Sequence, residues 1–147
     1  MDMRFFHCPH CGNLTIFQYD GQTSPSCCGE TMVLLKANSK DGVAEKHVPV
    51  VNVEHMNLPS DPCSGTRFTK KGCCETYVTV RIGETAHPMT DDHYIEWVVL
   101  LTNCGTYTRF LDPGDIPEAV FCLCKGEKPI KAYCYCNLHK LWASGDL

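Results

Sequence analysis

Long apolar runs and clusters of basic residues are both missing from this chain of 147 residues. No stretch approaches the roughly 18–20 consecutive apolar residues that a membrane-spanning helix needs, so we expect none. The 13 basic and 17 acidic residues give a formal net charge of −4 and form no basic stripe, which argues against nucleic acid as a partner. The N-terminal residues also lack the apolar run and cleavage site of a signal peptide, so we expect a cytoplasmic protein.

Helical periodicity is missing as well, because no segment repeats apolar residues every 3.6 positions after a capping residue. Short segments rich in β-branched and aromatic residues are instead separated by turn residues, which predicts an all-β sandwich or barrel. Asn103-Cys104-Gly105 has the composition of a hairpin turn. The main predicted strands are residues 47–53, 75–82, 94–101, 105–111, 118–124 and 130–135.

The chain divides at a polar, turn-prone segment, residues 37–42, which we interpret as a linker. Residues 1–36 contain two short predicted strands, at 13–19 and 32–35, but are too few to bury a stabilising core. They therefore need a metal ion or disulfides. Residues 43–147 are enough for a core of their own. The sequence thus predicts a small metal-stabilised domain, a linker and a β domain.

Cysteine is the residue in excess, with 12 in the chain. In a small secreted protein this count would indicate disulfides, but without an export signal we favour thiolate–metal chemistry. Cys8 and Cys11 form a Cys-x-x-Cys turn whose sulfurs can converge on one ion, and Cys27 and Cys28 supply two more thiolates. Four thiolates select iron or zinc. The adjacent second pair favours a distorted iron site; structural zinc and disulfides remain alternatives.

A second candidate metal site combines histidine with cysteine. Each residue alone is a weak signal, since a lone histidine is more often a surface residue and a strand cysteine a small core residue. Cys136-x-x-His139 is stronger, because this turn can direct both side chains at one ion. The full candidate set is His47, His87, His93, Cys136 and His139.

The sequences around these residues resemble the signature segments of the desulfoferrodoxin family, the two-iron superoxide reductases. They are EKHVPV (45–50), HPM (87–89), HYIEW (93–97) and YCNLH (135–139), and FLDPGD (110–115) is similar to the family's sandwich. The cysteines at 8, 11, 27 and 28 resemble those of its desulforedoxin-like domain. The resemblance covers nearly the whole chain except an interruption at about residues 52–76.

This resemblance implies a rubredoxin-like metal domain followed by an immunoglobulin-like β-sandwich. It implies two irons per chain: an Fe(Cys)4 centre, where zinc is an alternative, and an Fe(His)4(Cys) centre that reduces superoxide to hydrogen peroxide. In the latter, the four histidines would be equatorial and Cys136 axial. Lys46 would be the cation beside the open position, and Glu45 the carboxylate that can occupy it in the ferric state.

The family further implies a homodimer and a rubredoxin-like electron donor. The residues alone leave two other functions open, a rubredoxin-like electron carrier and a structural zinc module. Seven cysteines stand outside both sites: Cys63, Cys73, Cys74, Cys104, Cys122, Cys124 and Cys134. We interpret the last four as small apolar core residues. For the first three, in the interruption, a third metal or a redox disulfide is an alternative.

Overall fold

The computed structural model describes residues 3–19, 21–39, 42–55 and 76–147. Strands dominate these segments, and helix is limited to one turn, α1 (Ala44–His47). The all-β prediction is therefore confirmed. Within the described part of the chain, no helix is long and apolar enough to span a bilayer.

The N-terminal part forms two small sheets. One has the order β2-β1-β5 and the other pairs β3 with β4, with all neighbours antiparallel. Because side chains alternate across a strand, Phe5 and Phe6 of β1 pack into different clusters. The strands are β1 (Arg4–His7), β2 (Leu14–Phe17), β3 (Ser26–Cys27), β4 (Glu30–Thr31) and β5 (Val33–Leu35).

The larger part contains two antiparallel sheets, of order β10-β7-β6 and β12-β11-β8-β9. Their facing side chains form one buried core that includes Val80, Leu100 and Phe121. The predicted hairpin at 103–105 is confirmed, because the Thr102 N–H donates to the Gly105 carbonyl oxygen at 2.8 Å. The strands are β6 (Pro49–His55), β7 (Thr76–Ile82), β8 (Ile95–Thr102), β9 (Thr106–Phe110), β10 (Glu118–Leu123), β11 (Pro129–Cys136) and β12 (Lys140–Ala143).

All six main predicted strands are present, and their ends differ from the predicted ones by at most two residues. His47 lies in α1 and not in a strand, because the helical turn precedes Pro49. Residue 75, the predicted start of β7, lies outside the described residues.

The four-stranded sheet is buried on both faces along β8 and the second half of β11, whereas its edge strand β9 is mostly exposed. The outer face of the sheet is covered by the N-terminal part. The Phe5 ring stacks on Trp97 with centroids 5.6 Å apart, and Trp97 stacks on Tyr135 at 5.3 Å. The Asn38 side chain accepts a hydrogen bond from the Ala143 N–H (2.9 Å) and donates one to the Ala143 carbonyl oxygen (3.1 Å), which fixes this segment to β12.

Of the four cysteines predicted to be core residues, only Cys134 is buried. The prediction is wrong for the other three: Cys104 is exposed in the hairpin, Cys124 is half-buried, and Cys122 is disulfide-bonded. On β10, Phe121 and Leu123 take the core face, so the cysteines that alternate with them point the other way. The predictions for Cys63, Cys73 and Cys74 lie outside the described residues.

Candidate metal centres

Five predicted side chains meet at one end of the sandwich, although they come from distant parts of the chain. They are His47 in α1, His87 and His93 between β7 and β8, Cys136 at the end of β11, and His139 in the turn to β12. One potential ligand atom of each residue lies within 4.8 Å of the others. Long-range sheet pairing therefore assembles a group that could hold a metal ion.

The four imidazoles are arranged as a square. Centroids of neighbouring rings are 4.6 Å apart for His47–His87, His87–His93 and His47–His139, and 4.9 Å apart for His93–His139. The rings of His47 and His93, which lie across the square, are 6.1 Å apart. Four equatorial ligands around one ion would have this arrangement.

Backbone carbonyl groups fix the ring nitrogens that face the centre. The Nδ1–H groups of His47 and His87 donate to the carbonyl oxygens of Val43 (2.9 Å) and Pro88 (2.6 Å). A carbonyl can only accept, so each ring keeps its Nε2 lone pair free for a metal, as second-shell partners do in metal sites.

Two of the inward nitrogens are left without a hydrogen-bond partner in the described part of the chain, which favours a bound ion. Nε2 of His87 and Nε2 of His93 are buried, and no hydrogen-bond partner for either is found among the described residues. Leaving such a group unsatisfied is costly, and a bound metal would remove that cost. His47 Nε2 and His139 Nδ1 are 3.0 Å apart, which matches the edge of a square with metal–nitrogen bonds of about 2.1 Å.

The fifth side chain, Cys136, is fully buried and belongs to the sandwich core. Its Sγ lies 3.6 Å from Nδ1 of His139. The thiol therefore approaches the square of imidazoles from the interior of the protein. Cys136 could therefore complete the group of five potential ligands from the core side.

Burial sets the protonation states of this cluster. It lowers the pKa of His47, His93 and His87, the last to about 4, so the rings are neutral near pH 7, which is the form that binds metals. The positive charge of Lys46 contributes to the lowered pKa of His47 and His93, which indicates that this ammonium group lies near the cluster. Burial raises the pKa of the Cys136 thiol, so metal binding must displace its proton.

Glu45 and Lys46 lie on the exposed side of α1, next to the cluster. A Glu45 carboxylate oxygen accepts a hydrogen bond from the Thr85 hydroxyl at 2.9 Å. Gly83 has φ +82, and a Cβ there would lie 2.6 Å from the Lys46 carbonyl oxygen, so only glycine lets this turn support α1 so closely. The roles predicted for Glu45 and Lys46 stay predictions, and sequence reasoning missed the supporting positions Gly83 and Thr85.

The four N-terminal cysteines form a second group, again with ligand atoms within 4.8 Å of one another. Sγ of Cys27 is 3.6 Å from Sγ of Cys11 and 3.9 Å from Sγ of Cys28. A tetrahedron with metal–sulfur bonds of about 2.3 Å has edges of about 3.8 Å. The spacing therefore fits iron or zinc, and disulfides are not formed, since all four cysteines are free.

Backbone geometry explains how two adjacent cysteines can face one ion. Cys28 has φ +52 and Gly29 has φ +83, so two consecutive residues take the left-handed conformation. For a non-glycine residue this conformation costs roughly 1–2 kcal/mol. We infer that metal binding offsets this cost at Cys28.

Electrostatics of the four thiols also favour a bound cation. Backbone N–H groups, that of Cys11 first, lower the pKa of Cys8 to about 6, whereas hydrogen bonding with Cys11 raises the pKa of Cys28 to about 12. Without a cation, the four sulfurs therefore do not all ionise at neutral pH. A metal ion would stabilise the fully deprotonated set.

Comparisons with known proteins agree with this geometry. The Desulfoferrodoxin family model matches residues 39–145. The chain is 39% identical over 137 residues to a desulfoferrodoxin of Nitratidesulfovibrio vulgaris, covering 93% of this chain and 91% of that protein. It is 34% identical to a superoxide reductase of Pyrococcus abyssi, covering 71% of this chain and 88% of that one.

Among solved structures, the superoxide reductase from Treponema pallidum is similar over 99% of this chain and 100% of that one. Its TM-score is 0.72 at 29% sequence identity. The similarity therefore extends over both the N-terminal part and the sandwich.

Proposed function

The chain belongs to the desulfoferrodoxin family, and we propose that it is a superoxide reductase with two iron centres. The catalytic iron is held by the square of four histidines and by Cys136, and the second iron by the four N-terminal cysteines. One observation carries this proposal most directly: the ligand atoms of five side chains lie within 4.8 Å of one another, and two of the imidazole nitrogens are buried with no hydrogen-bond partner among the residues that the structure describes.

The reaction consumes one superoxide, one electron and two protons, and yields one hydrogen peroxide. Iron held by these five residues would supply the electron and would bind the anion on a side that the five side chains do not occupy. Four neutral imidazoles and one thiolate give the ferrous site a formal charge of +2 − 1 = +1 and the ferric site +2. This positive charge favours the reduced state, so the site can be refilled by a modest donor.

Lys46 is proposed to attract superoxide towards the open face. The whole chain carries a net charge of −4, which repels an anion, so a local cation near the cluster matters more. Its influence on the pKa of His47 and His93 supports this placement. Glu45, which the Thr85 hydroxyl holds beside α1, is proposed as the carboxylate that occupies the open position in the ferric state.

Electrons are proposed to enter at the four-cysteine centre from a rubredoxin-like protein. Cys11 and Cys28 are exposed, so an external donor can approach this centre. The stacked rings of Phe5, Trp97 and Tyr135 join the N-terminal part to the residue that precedes Cys136.

The homodimer and the cytoplasmic location are proposed from the family resemblance. The four N-terminal cysteines and Cys136 form no disulfide, which suits a reducing compartment, whereas Cys122 is disulfide-bonded. The domain division at residues 37–42 likewise remains a proposal, supported by the separate small sheets of the N-terminal part.

Product stoichiometry tests the proposed reaction. The iron-loaded protein, given an excess of a one-electron donor and a pulse of superoxide, should yield one hydrogen peroxide per superoxide and no oxygen. A dismutase would give half as much peroxide and release oxygen, and an electron carrier would leave superoxide to decay at its spontaneous rate. Either of these two results would contradict the proposed function.

A further inference from the structure

Asn137 lies between two of the proposed ligands in the chain, Cys136 and His139, and no chemical role has yet been given to it. On the basis of the proposed function, we propose that Asn137 is a positioning residue for the catalytic metal. Its side chain ties the turn that carries Cys136 and His139 to the loop that carries His93. It thereby fixes the axial thiolate relative to the square of imidazoles.

Three hydrogen bonds join Asn137 to the residues on either side of His93. The Asn137 side-chain oxygen accepts from the Tyr94 N–H at 3.1 Å, and its side-chain nitrogen donates to the Asp92 carbonyl oxygen at 2.9 Å. The Asn137 backbone N–H donates to the Tyr94 carbonyl oxygen at 3.2 Å. The backbone is therefore held on both sides of His93 by one residue.

The sheet itself cannot supply this constraint. β11 and β8 pair regularly as far as Tyr135 with Trp97, and the register then shifts, so that Cys136 pairs with Ile95. Such an irregularity redirects a side chain but interrupts the ladder of hydrogen bonds. The bonds of Asn137 resume the connection between the two strands one residue beyond the thiol.

Asparagine suits this position because the two contacts require opposite hydrogen-bonding properties. The Tyr94 N–H needs an acceptor, and the Asp92 carbonyl oxygen needs a donor. Aspartate has the same shape but only acceptors, and it would place a carboxylate against that carbonyl oxygen. Alanine provides neither group.

The position of the thiol is sensitive to this residue. Sγ of Cys136 lies 3.8 Å from the side-chain oxygen of Asn137, and the Lys140 ammonium group donates to the Asn137 carbonyl oxygen at 3.0 Å. Without the hydrogen bonds of Asn137, the turn can relax, and the Cys136 sulfur and the His93 ring are no longer directed at the same ion. Loss of partners that orient metal ligands typically costs 10–100-fold in affinity or activity.

The test compares Asn137→Ala and Asn137→Asp with Asn103→Ala. Asn103 uses the same chemistry at the other end of β8, where its side-chain nitrogen donates to the Gly126 carbonyl oxygen (3.3 Å) and its oxygen accepts from the Lys128 N–H (2.8 Å). It therefore reports the cost of losing a loop-bridging amide far from the histidines.

Two properties are measured on protein loaded with ferrous iron. The first is iron affinity in competition with a chelator, and the second is the energy of the thiolate-to-iron charge-transfer band after oxidation. For Asn137→Ala we expect an affinity loss of about tenfold at the histidine site, with a displaced band. Asn137→Asp should lie between this variant and the unaltered protein, and the four-cysteine centre should be unchanged in both.

Unchanged affinity and band in both Asn137 variants would overturn the proposal, as would an equal loss in Asn103→Ala. If Asn137→Ala fails to fold, as judged by the spectrum of the four-cysteine centre, the isosteric aspartate variant decides the outcome by the same criteria. Neither measurement uses superoxide. A protein without superoxide reductase activity in which Asn137→Ala still weakens iron binding would therefore refute the proposed function and retain this inference.

Discussion

Replacing Cys136 with serine should abolish superoxide reduction and leave the spectrum of the four-cysteine centre intact. The thiol is fully buried and closes the histidine cluster from the core side. A serine hydroxyl is a harder and far less acidic ligand, so it cannot supply a soft anionic sulfur to iron. We expect the rate constant with superoxide to fall more than about 100-fold, since losing even an outer partner costs 10–100-fold.

Cys134→Ser is the matched control for this variant. Cys134 lies two residues earlier on the same face of β11, is also buried, and donates its Sγ–H to the His47 carbonyl oxygen at 3.3 Å. Serine keeps that donor, so the control should retain the thiolate-to-iron band and most of the activity. Activity in Cys136→Ser, or its equal loss in Cys134→Ser, would contradict the role assigned to Cys136.

Lys46→Met should slow the reaction with superoxide and make its rate less dependent on salt. The ammonium group is exposed on α1 and contributes to the lowered pKa of two cluster histidines, so it lies close enough to attract an anion. Electrostatic attraction of this kind changes association rates by roughly 10–1,000-fold. We expect a loss of about tenfold at low ionic strength, which shrinks as the Debye length falls to about 3 Å near 1 M salt.

Lys125→Met removes the same charge at the opposite end of the sandwich. Lys125 is exposed just beyond β10, whose last residue, Leu123, pairs with the first residue of β7. The proposed catalytic site lies at the other end of β7, because the last residue of this strand, Ile82, precedes the turn that packs against α1. The control should therefore leave the rate nearly unchanged. Equal effects of the two substitutions would indicate a general influence of net charge and not a role for Lys46.

The sequence identified the members of both clusters because local spacing and residue type carry that information. Cys136 and His139 share one turn, as do Cys8 and Cys11, and such turns restrict where ligands can point. The square of imidazoles could not be predicted in the same way. His47 and His139 are 92 positions apart, and the register of two sheets brings their nitrogens to 3.0 Å.

The strands β1 and β12 are among those that the sequence did not predict, and the reason lies in their surroundings. Phe5 and Phe6 of β1 are adjacent apolar residues and give no alternating pattern, because each packs against a different cluster. β12 is short, and its Ala143 is fixed by the side chain of Asn38. Contacts between distant segments stabilise both strands, so a short stretch of sequence does not predict either of them.

The core prediction for the cysteines of β10 failed for a different reason, because the local sequence did carry the needed information. Residue type alone assigns Cys122 and Cys124 to the core, since cysteine is usually buried. The neighbouring Phe121 and Leu123 occupy the core face, and alternation along the strand then directs the cysteines away from it. Residue type alone therefore predicts the wrong face of β10 for these cysteines, whereas their alternation with Phe121 and Leu123 predicts the correct one.

Anomalous diffraction at the iron edge, from crystals of the iron-loaded protein, tests the central claim most directly. Two peaks per chain should appear, one among the sulfurs of the four N-terminal cysteines. The other should lie about 2.1 Å from one nitrogen of each of the four histidines, with the Cys136 sulfur on the core side and no protein atom opposite. A fully loaded protein with no peak among the four histidines, or with Cys136 turned away from it, would contradict the account.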